Sequence, residues 1–221
     1  MNYTAIDFET GNAYYTSACS IGVSVFENNQ PVRQYVRLIR PPDEVGAFHW
    51  YNIKIHGIRR AQVEQEPTFG ELWPLLRPDL EDHILVCHNA MFDTAVLRKC
   101  LEFYNIPVPN FQYICTVKVS QKLWPDLENH KLDTVAAFLD IPLNHHEAGS
   151  DAHAAGLILQ NALQQTGCPS VKALAERLDI RLGEIGPQGH LSYSSAKKKP
   201  SPRTSRGSKS TTHFSKRSGS I

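Results

Sequence analysis

The chain has 221 residues and a mass of 24.8 kDa, which fits one domain with an appendage better than two full domains. Hydrophobic residues make up 41% of it, enough for a buried core, yet no apolar run reaches the roughly 20 residues that span a bilayer. Because Met1–Thr4 also lacks the basic start of a signal peptide, we expect a cytoplasmic protein that is neither secreted nor membrane-bound. The net charge is only +1, but residues 183–221 carry +7 and residues 1–182 carry −6.

The first part of the sequence predicts an opening strand followed by a β-hairpin. Residues 3–8 are rich in β-forming side chains. Residues 20–25 alternate Ser and Gly with Ile and Val, and this period of two is typical of a strand. Residues 27–31 contain turn-forming Asn and Pro, and a further strand is predicted over 34–39.

The rest of the body alternates between predicted strands and helices. Residues 43–66 are predicted to be loop and short helix. Thr68 and Glu71 have the spacing of a capping box, which predicts a helix to about Leu76 that Pro74 interrupts or limits. Further strands are predicted at 84–87 and 113–115, and further helices at 91–104, 116–123, 132–139, 151–165 and 170–182. This order indicates an α/β domain with a mixed sheet.

The last segment differs in composition from the rest. Residues 183–221 contain ten Ser and eight Lys or Arg but almost no aliphatic side chains. Such a segment buries too little apolar surface to offset its ordering entropy, so we predict a disordered basic tail. A flexible basic tail suits nucleic acid, whose counterions it displaces. A tail that docks on a protein partner, or one that is merely solvated, has the same composition.

Two carboxylates lie where the first strand is predicted to end. Asp7 and Glu9 are two residues apart, so both side chains point to one face of that strand. Their mutual repulsion is unfavourable unless a cation or protons relieve it. The pattern therefore indicates either a solvated strand end or a cation site.

A third carboxylate stands at the head of an apolar helix face. Asp93 shares that face with five residues at helical spacing, namely Val96, Leu97, Cys100, Leu101 and Tyr104. Because burying an unpaired charge is costly, Asp93 either caps its own helix or serves a metal.

The fourth carboxylate follows a pair of histidines. Asp151 is predicted to open the helix over 151–165, where the helix dipole favours a first-turn acid and Ser150 can act as the cap. His146 lies five residues earlier, on the loop that leads into this helix. A lone loop histidine is usually just exposed, so this pair of residues alone indicates little.

Together these segments resemble the motifs of the DEDDh, or DnaQ-like, 3′–5′ exonucleases. The matching patterns are Asp-x-Glu at 7–9, Asn-x-x-x-Asp at 89–93 and His-x-x-x-x-Asp at 146–151. The resemblance covers about residues 2–165. It looks closest to the exonuclease X-like branch through two short segments, Ile114–Thr116 and Lys122–Pro125.

This resemblance implies a ribonuclease H-like fold, in which helices flank a five-stranded mixed sheet. The exonuclease domain is then expected over 1–182, and the resemblance does not extend to the predicted tail over 183–221.

The resemblance also implies two divalent ions in the site. Oxygen ligands suit hard cations such as Mg²⁺, for which Mn²⁺ is expected to substitute. Asp7, Glu9 and Asp151 would bind the ion on the nucleophile side. Asp7 would bridge to the second ion, which Asp93 would hold directly or through water. Two such ions about 3.5–4 Å apart can hold the attacking and the leaving oxygen on one phosphorus.

His146 is the general base that the resemblance implies, because the His-x-x-x-x-Asp spacing selects it over His145. An imidazole titrates near neutral pH and can take a proton from the attacking water. The positions that the resemblance assigns to substrate binding are Thr10, Gly11, His56, His88 and Phe92. Phe92 and His56 have structural alternatives, and the competing acid Asp133 is expected to be a cap or first-turn residue.

The sequence therefore predicts a metal-dependent exonuclease that trims DNA 3′ ends to 5′-mononucleotides. An exoribonuclease that trims RNA uses the same motifs, and a polymerase proofreading subunit is a further alternative. A nucleic-acid-binding module without catalysis could have lost one of the acids or the histidine, but all five residues are present. The motifs specify no oligomeric state.

Overall fold

A mixed β-sheet forms the framework of the chain, and helices pack on both of its faces. The computed structural model describes residues 2–192 and 194–195. Its strands are β1 (Tyr3–Thr10), β2 (Ala18–Glu27), β3 (Gln30–Leu38), β4 (Ile84–Cys87), β5 (Phe111–Cys115), β6 (Ile180–Arg181), β7 (Gly183–Gly186), β8 (Gly189–Leu191) and β9 (Ser194–Ser195). Its helices are α1 (Trp50–His56), α2 (Arg60–Val63), α3 (Phe69–Leu80), α4 (Met91–Phe103), α5 (Thr116–Leu123), α6 (Leu132–Phe138), α7 (Ala148–Thr166) and α8 (Val171–Arg177).

Strand β1 lies inside the main sheet, with a partner on each side. It pairs antiparallel with β2 and parallel with β4, and the full order is β3-β2-β1-β4-β5-β7-β8. The predicted hairpin of β2 and β3 is confirmed. Because β1, β4 and β5 are mutually parallel, their carboxyl ends meet at one edge of the sheet, which is where α/β proteins bind ligands.

The main sheet has seven strands rather than the predicted five, because the chain after α8 returns to it. β7 pairs antiparallel with β5, and β8 pairs with β7. Ile185 is buried in the same apolar cluster as Phe111 and Tyr113, so this contact holds the segment on the sheet. The predicted start of the disordered tail at residue 183 is therefore wrong, because the first part of this segment is folded onto the sheet. Its greater part, residues 196–221, lies outside the described residues.

The sheet separates two apolar clusters, and β1 contributes to both through its alternating side chains. Ile6 and Phe8 pack with residues of α3 and α4 on one face. Tyr3 and Ala5 pack with residues of α5, α6, α7 and α8 on the other face. Over the part of the chain that the structure describes, none of the helices has both the length and the apolar character to cross a membrane.

Helix α3 begins as predicted but runs further than predicted. The backbone N–H of Glu71 donates to the Thr68 hydroxyl, and the Glu71 carboxylate accepts from the backbone N–H of Thr68, which completes the capping box. The helix then continues through Pro74 to Leu80. Leu76 and Leu80 are fully buried, and this burial offsets the hydrogen bond lost at the proline.

Helices α7 and α8 also have ends that differ from the expectation. The prediction that Ser150 caps α7 is wrong, because the Glu147 carboxylate accepts from the backbone nitrogens of Gly149 and Ser150 and starts the helix at Ala148. The predicted cap Ser170 starts α8, but that helix ends at Arg177 rather than at 182.

Helix α7 packs closely against the sheet at Gly22 of β2. A Cβ atom at this position would lie 1.9 Å from the backbone oxygen of Ala148. Only a glycine leaves room for this contact, so Gly22 sets the distance between the first turn of α7 and the sheet. Gly22 is also the register partner of Asp7 on β1. The contact therefore fixes how near Asp151, in that first turn, lies to Asp7.

Replacing Gly22→Ala should lower the free energy of unfolding by about 1–3 kcal/mol, the usual cost of overpacking a tight contact. The added methyl group has no space unless α7 moves away from β2. Urea denaturation followed by circular dichroism measures the change. Glu27→Ala, at the exposed end of the same strand, is the control, and an equal effect of the two substitutions would contradict the proposed role of the contact.

Candidate active site

Three of the predicted carboxylates converge at the carboxyl end of β1. The ligand oxygens of Asp7, Glu9 and Asp151 all lie within 4.8 Å of one another. Asp7 and Glu9 continue the row of side chains that begins with Tyr3 and Ala5, so they point to the face that α7 covers. Asp151 comes from the first turn of α7. Strand periodicity and the close packing of α7 therefore bring the three groups together.

Asp93 reaches the same place from the opposite face of the sheet. It lies in the first turn of α4, is 1% exposed, and accepts a hydrogen bond of 3.0 Å from the backbone N–H of Phe8 to its Oδ1. Helix α4 has no side-chain cap at its start, so the capping alternative is wrong. Asp93 stands outside the 4.8 Å cluster but borders the same cleft as Asp7.

The four carboxyl groups oppose each other's ionisation. Burial, followed by the charges of Asp93 and Glu9, raises the pKa of Asp7 well above its ordinary value. Burial and the charges of Asp151 and Asp93 raise the pKa of Glu9 to about 8. Burial also raises the pKa of Asp93 to about 8 and that of Asp151 to about 6. Near neutral pH the site therefore holds protons unless a cation supplies positive charge.

The donor set fits a hard divalent cation. Oδ2 of Asp151 accepts from the backbone N–H of His146, but Oδ1 of Asp151 is buried and has no hydrogen-bond partner. A buried carboxylate oxygen without a partner is costly, and a shared metal ion relieves that cost. The neighbouring ligand atoms of Asp7 and Glu9 are also carboxylate oxygens, which suits Mg²⁺ or Mn²⁺ better than a soft metal.

The two histidines lie beside this cluster on the loop before α7. Their rings stack with centroids 3.9 Å apart, and both line the cleft. His146 has a positive φ of 71°, and its backbone N–H donates to Asp151 at 3.0 Å, which ties the loop to a ligand of the cluster. The ring of His145 also lies near that carboxylate, with its Nε2 3.9 Å from Asp151 Oδ2, and both imidazoles have a ring nitrogen within 4.8 Å of an Asp151 oxygen.

A cleft of about 720 Å³ opens from the carboxylates and is lined by side chains from several elements. Of the five predicted substrate-binding residues, His88 and Phe92 line this cleft. Thr10 and Gly11 are buried, and the backbone oxygen of Thr10 is 3.2 Å from His56 Nε2. Thr10, Gly11 and His56 therefore lie beside the cleft, where they join β1 to α1.

Each ring nitrogen of His88 makes a polar contact that holds the ring in place. Its Nδ1 is 2.9 Å from the Thr116 hydroxyl, and its Nε2 is 3.0 Å from the backbone oxygen of His130. Burial lowers the pKa of His88 to about 4, so the ring is neutral at pH 7. His88 thus links the end of β4 to the loop before α6.

That loop contributes residues that the sequence analysis did not select. Its residues His130 and Lys131 line the cleft, as does Gln121 of the preceding helix α5. The only local signal was a basic pair just before a predicted helix, and such a pair is common on surfaces. Asp133, the competing acid, is an exposed first-turn residue of α6 that accepts from the backbone N–H of Thr134, and this hydrogen bond lowers its pKa. The structural role expected for Asp133 is confirmed.

Comparison with known proteins decides the family. The model of the exonuclease family RNase_T matches residues 4–159, which include all five motif residues. The chain belongs to this exonuclease family. The exonuclease chain is 29% identical over 157 residues to the DNA polymerase III PolC-type of Caldanaerobacter subterraneus subsp. tengcongensis, covering 71% of this chain and 11% of that protein. It is 28% identical over 167 residues to the 3'-5' exonuclease DinG of Staphylococcus haemolyticus, covering 74% of this chain and 18% of that protein.

The exonuclease chain thus spans less than a fifth of the length of these two relatives. Two solved structures share its fold over nearly their whole length. Exonuclease X in complex with 5′ overhanging duplex DNA gives a TM-score of 0.64 at 20% identity, covering 80% of this chain and 99% of that one. The nuclease domain of 3'hExo, a DEDDh family member bound to rAMP, gives a TM-score of 0.65 at 16% identity, covering 76% of this chain and 93% of that one. The ribonuclease H-like fold and the DEDDh relationship are confirmed.

The raised pKa of Glu9 predicts a pH-dependent effect of Glu9→Gln on stability. Because the folded protein holds this proton up to a pKa of about 8, the wild type loses stability as the pH rises from about 5 to about 8. The variant lacks this titration. In chelator, its unfolding temperature relative to the wild type should therefore increase over that range.

At about pH 8, saturating Mg²⁺ should raise the unfolding temperature of the wild type above that of Glu9→Gln, because only the wild type keeps all of the proposed metal ligands. Differential scanning calorimetry measures both effects. Asp126→Asn, exposed in the loop before α6, is the control. A difference between Glu9→Gln and wild type that stays constant with pH would contradict the coupling of the carboxylates.

Proposed function

We propose that this protein is a divalent-metal-dependent 3′–5′ exonuclease that hydrolyses the terminal phosphodiester bonds of DNA and releases 5′-mononucleotides. Family membership supports the reaction class. The relatives include a DNA polymerase and a protein named a 3'-5' exonuclease, and Exonuclease X was solved with DNA. These names favour DNA as the substrate and the 3′ end as the point of attack.

The unpartnered Oδ1 of Asp151 carries the proposal. It is buried beside Asp7 and Glu9, so three carboxylates share one small volume with an unsatisfied oxygen among them. A structural cluster would satisfy that oxygen with a donor from the protein. A site that works only with divalent ions leaves it for the metal, and Mg²⁺ is the ion that we propose, with Mn²⁺ as its substitute.

The residues of the site then have separate tasks. Bound as a pair, the ions supply positive charge for the attacking and the leaving oxygen of the phosphodiester. Asp7, Glu9 and Asp151 would hold one ion, and Asp93 and Asp7 would serve the second. A ring nitrogen of His146 takes the proton of the attacking water. The bond from the His146 backbone to Asp151 keeps this imidazole beside the ligands.

Replacing His146→Ala should lower kcat by about 10²–10⁴-fold while the affinity for Mg²⁺ changes little, since proton transfer and not metal binding is the task that we propose for the imidazole. Hydrolysis of a 5′-labelled oligonucleotide gives kcat, and calorimetric titration gives the metal affinity. His145→Ala is the matched control, because it removes the stacked neighbouring ring and should cost less than tenfold. Turnover of His146→Ala at the wild-type rate would contradict its role as the base.

Digestion of matched single- and double-stranded DNA and RNA tests the substrate and the direction. With a 5′ label and Mg²⁺, single-stranded DNA should give a ladder that shortens one nucleotide at a time from the 3′ end. Chelator should abolish the ladder. Faster digestion of the RNA strands would show that RNA and not DNA is the preferred substrate. A ladder that persists in chelator would contradict the proposal that the reaction depends on a metal.

A further inference from the structure

We propose that the α1 aromatic pair, Trp50 and Tyr51, stacks on the bases of a single strand that leads into the cleft. The inference rests on the proposed function and specifies its substrate as a single-stranded 3′ end several nucleotides long. The terminal nucleotide lies at the carboxylates, and the α1 aromatic pair binds nucleotides further from the end.

The exposure of the pair is unusual for such large rings. Trp50 is 67% exposed and Tyr51 is 54% exposed, whereas Trp73 and Trp124 are buried. The Trp50 ring lies 5.7 Å from the rings of both Tyr51 and His49, so the three rings form one continuous patch. Leaving an indole in water forgoes the free energy of its burial, and aromatic surfaces of this kind are typical of binding sites.

The patch continues directly from the wall of the cleft. Ile55 of α1 lines the cleft, and Tyr51 lies four residues before it. Residues four apart share a helix face and are about one turn of 5.4 Å apart along the axis. A strand that leaves the cleft past Ile55 therefore meets Tyr51 next. Lys54 lies four residues after Trp50 and is exposed beside the patch.

The pair is held in fixed relation to the metal ligands. The Asn52 side chain donates to the backbone oxygen of Thr10 at 2.8 Å, and the backbone N–H of His49 donates to the oxygen of Gly11 at 2.7 Å. Thr10 directly follows Glu9 on β1. Because α1 is already bonded to this strand, base binding there requires little reorganisation.

The chemistry of the patch matches an unpaired strand better than a duplex or a protein. Every base has a π-face, so stacking binds successive nucleotides whatever their sequence, as an exonuclease requires. A duplex hides those faces inside its own stack. Lys54 supplies a cation for the phosphates between the bases, and this charge is of no use to an apolar protein partner. A protein-docking role for the patch is the competing outcome of the test below.

The first experiment compares a long and a short substrate in the full-length enzyme. Against a twelve-nucleotide oligothymidylate, the Trp50→Ala/Tyr51→Ala variant should raise KM by about 5- to 150-fold, the range that base–aromatic stacking covers. A thymidine dinucleotide is too short to reach the patch, so its kcat/KM should stay at the wild-type value. Twelve-nucleotide oligouridylate should show the same contrast if the substrate is RNA. Phe138 is 53% exposed on α6, so Phe138→Ala is the matched control and should change the kinetic constants for neither substrate.

The second experiment follows binding without turnover. In a Glu9→Gln background with Mg²⁺, oligothymidylate should quench tryptophan fluorescence, because Trp50 is the exposed tryptophan and Trp73 and Trp124 are buried. Trp50→Phe should remove most of the quenching. Self-complementary duplex DNA with blunt ends should quench far less than the single strand.

The outcomes separate this inference from the function on which it rests. If the wild type cleaves neither substrate but the single strand still quenches Trp50, the proposed function fails and the stacking site remains. If hydrolysis is normal and the double variant matches the wild type on the twelve-nucleotide strand, the stacking site is wrong and the patch serves a protein instead. An equal loss on the dinucleotide would also overturn it, because the pair would then act within the site itself.

Discussion

The concentration of negative charge at the carboxyl end of β1 is the constraint on which the rest of this molecule depends. Asp7 and Glu9 stand side by side on one strand, and two helices bring Asp93 and Asp151 to them from opposite faces of the sheet. Packing interactions elsewhere must offset this repulsion for the chain to fold. Burial and mutual repulsion raise the pKa values of Glu9 and Asp93 to about 8, so in the absence of a cation these two groups retain protons at neutral pH. Folding and metal binding are therefore linked through the same four groups.

Close packing turns this charge cluster into a defined geometry. Gly22 lets the first turn of α7 touch the sheet directly opposite Asp7. The backbone N–H of Phe8, between the two acids of β1, fixes the carboxylate of Asp93. One strand thus supplies two of the carboxylates by its side chains and orients a third through its backbone. A small displacement of either helix would spread the four carboxylates apart, so the glycine contact affects the geometry of the site as well as the stability of the fold.

The same charge makes the cleft a difficult place for a polyanion. Residues 1–182 carry −6, and the cleft concentrates four of those acids at its floor. Divalent ions bound at the carboxylates would relieve this repulsion only in their immediate neighbourhood. Base stacking on the α1 aromatic pair is independent of charge, so it supplies affinity where phosphates are repelled. Lys131 at the cleft and Lys54 beside the patch add positive charge along the same route.

Short-range patterns determined much of what the sequence could predict. The alternation along 20–25, the apolar run at 84–87 and the capping box at Thr68 each describe a local structure, and each is confirmed. The order and spacing of the acids identified the family, because spacing within a strand or a helix turn fixes which side chains share a face. The average composition of 183–221 concealed Ile185, whose burial depends on a partner strand far away in the chain.

The sequence by itself determined the local elements that carry the four carboxylates and the two histidines, and it singled out these residues as candidates for one site. Only the tertiary structure decided that Asp151 comes within reach of Asp7, that His130 enters the cleft while Thr10 stays beside it, and that Trp50 of α1 remains exposed. The physical reason is that side-chain direction follows the short repeat of each element. The distance between elements depends instead on strand pairing and on close contacts between residues that are remote in the chain.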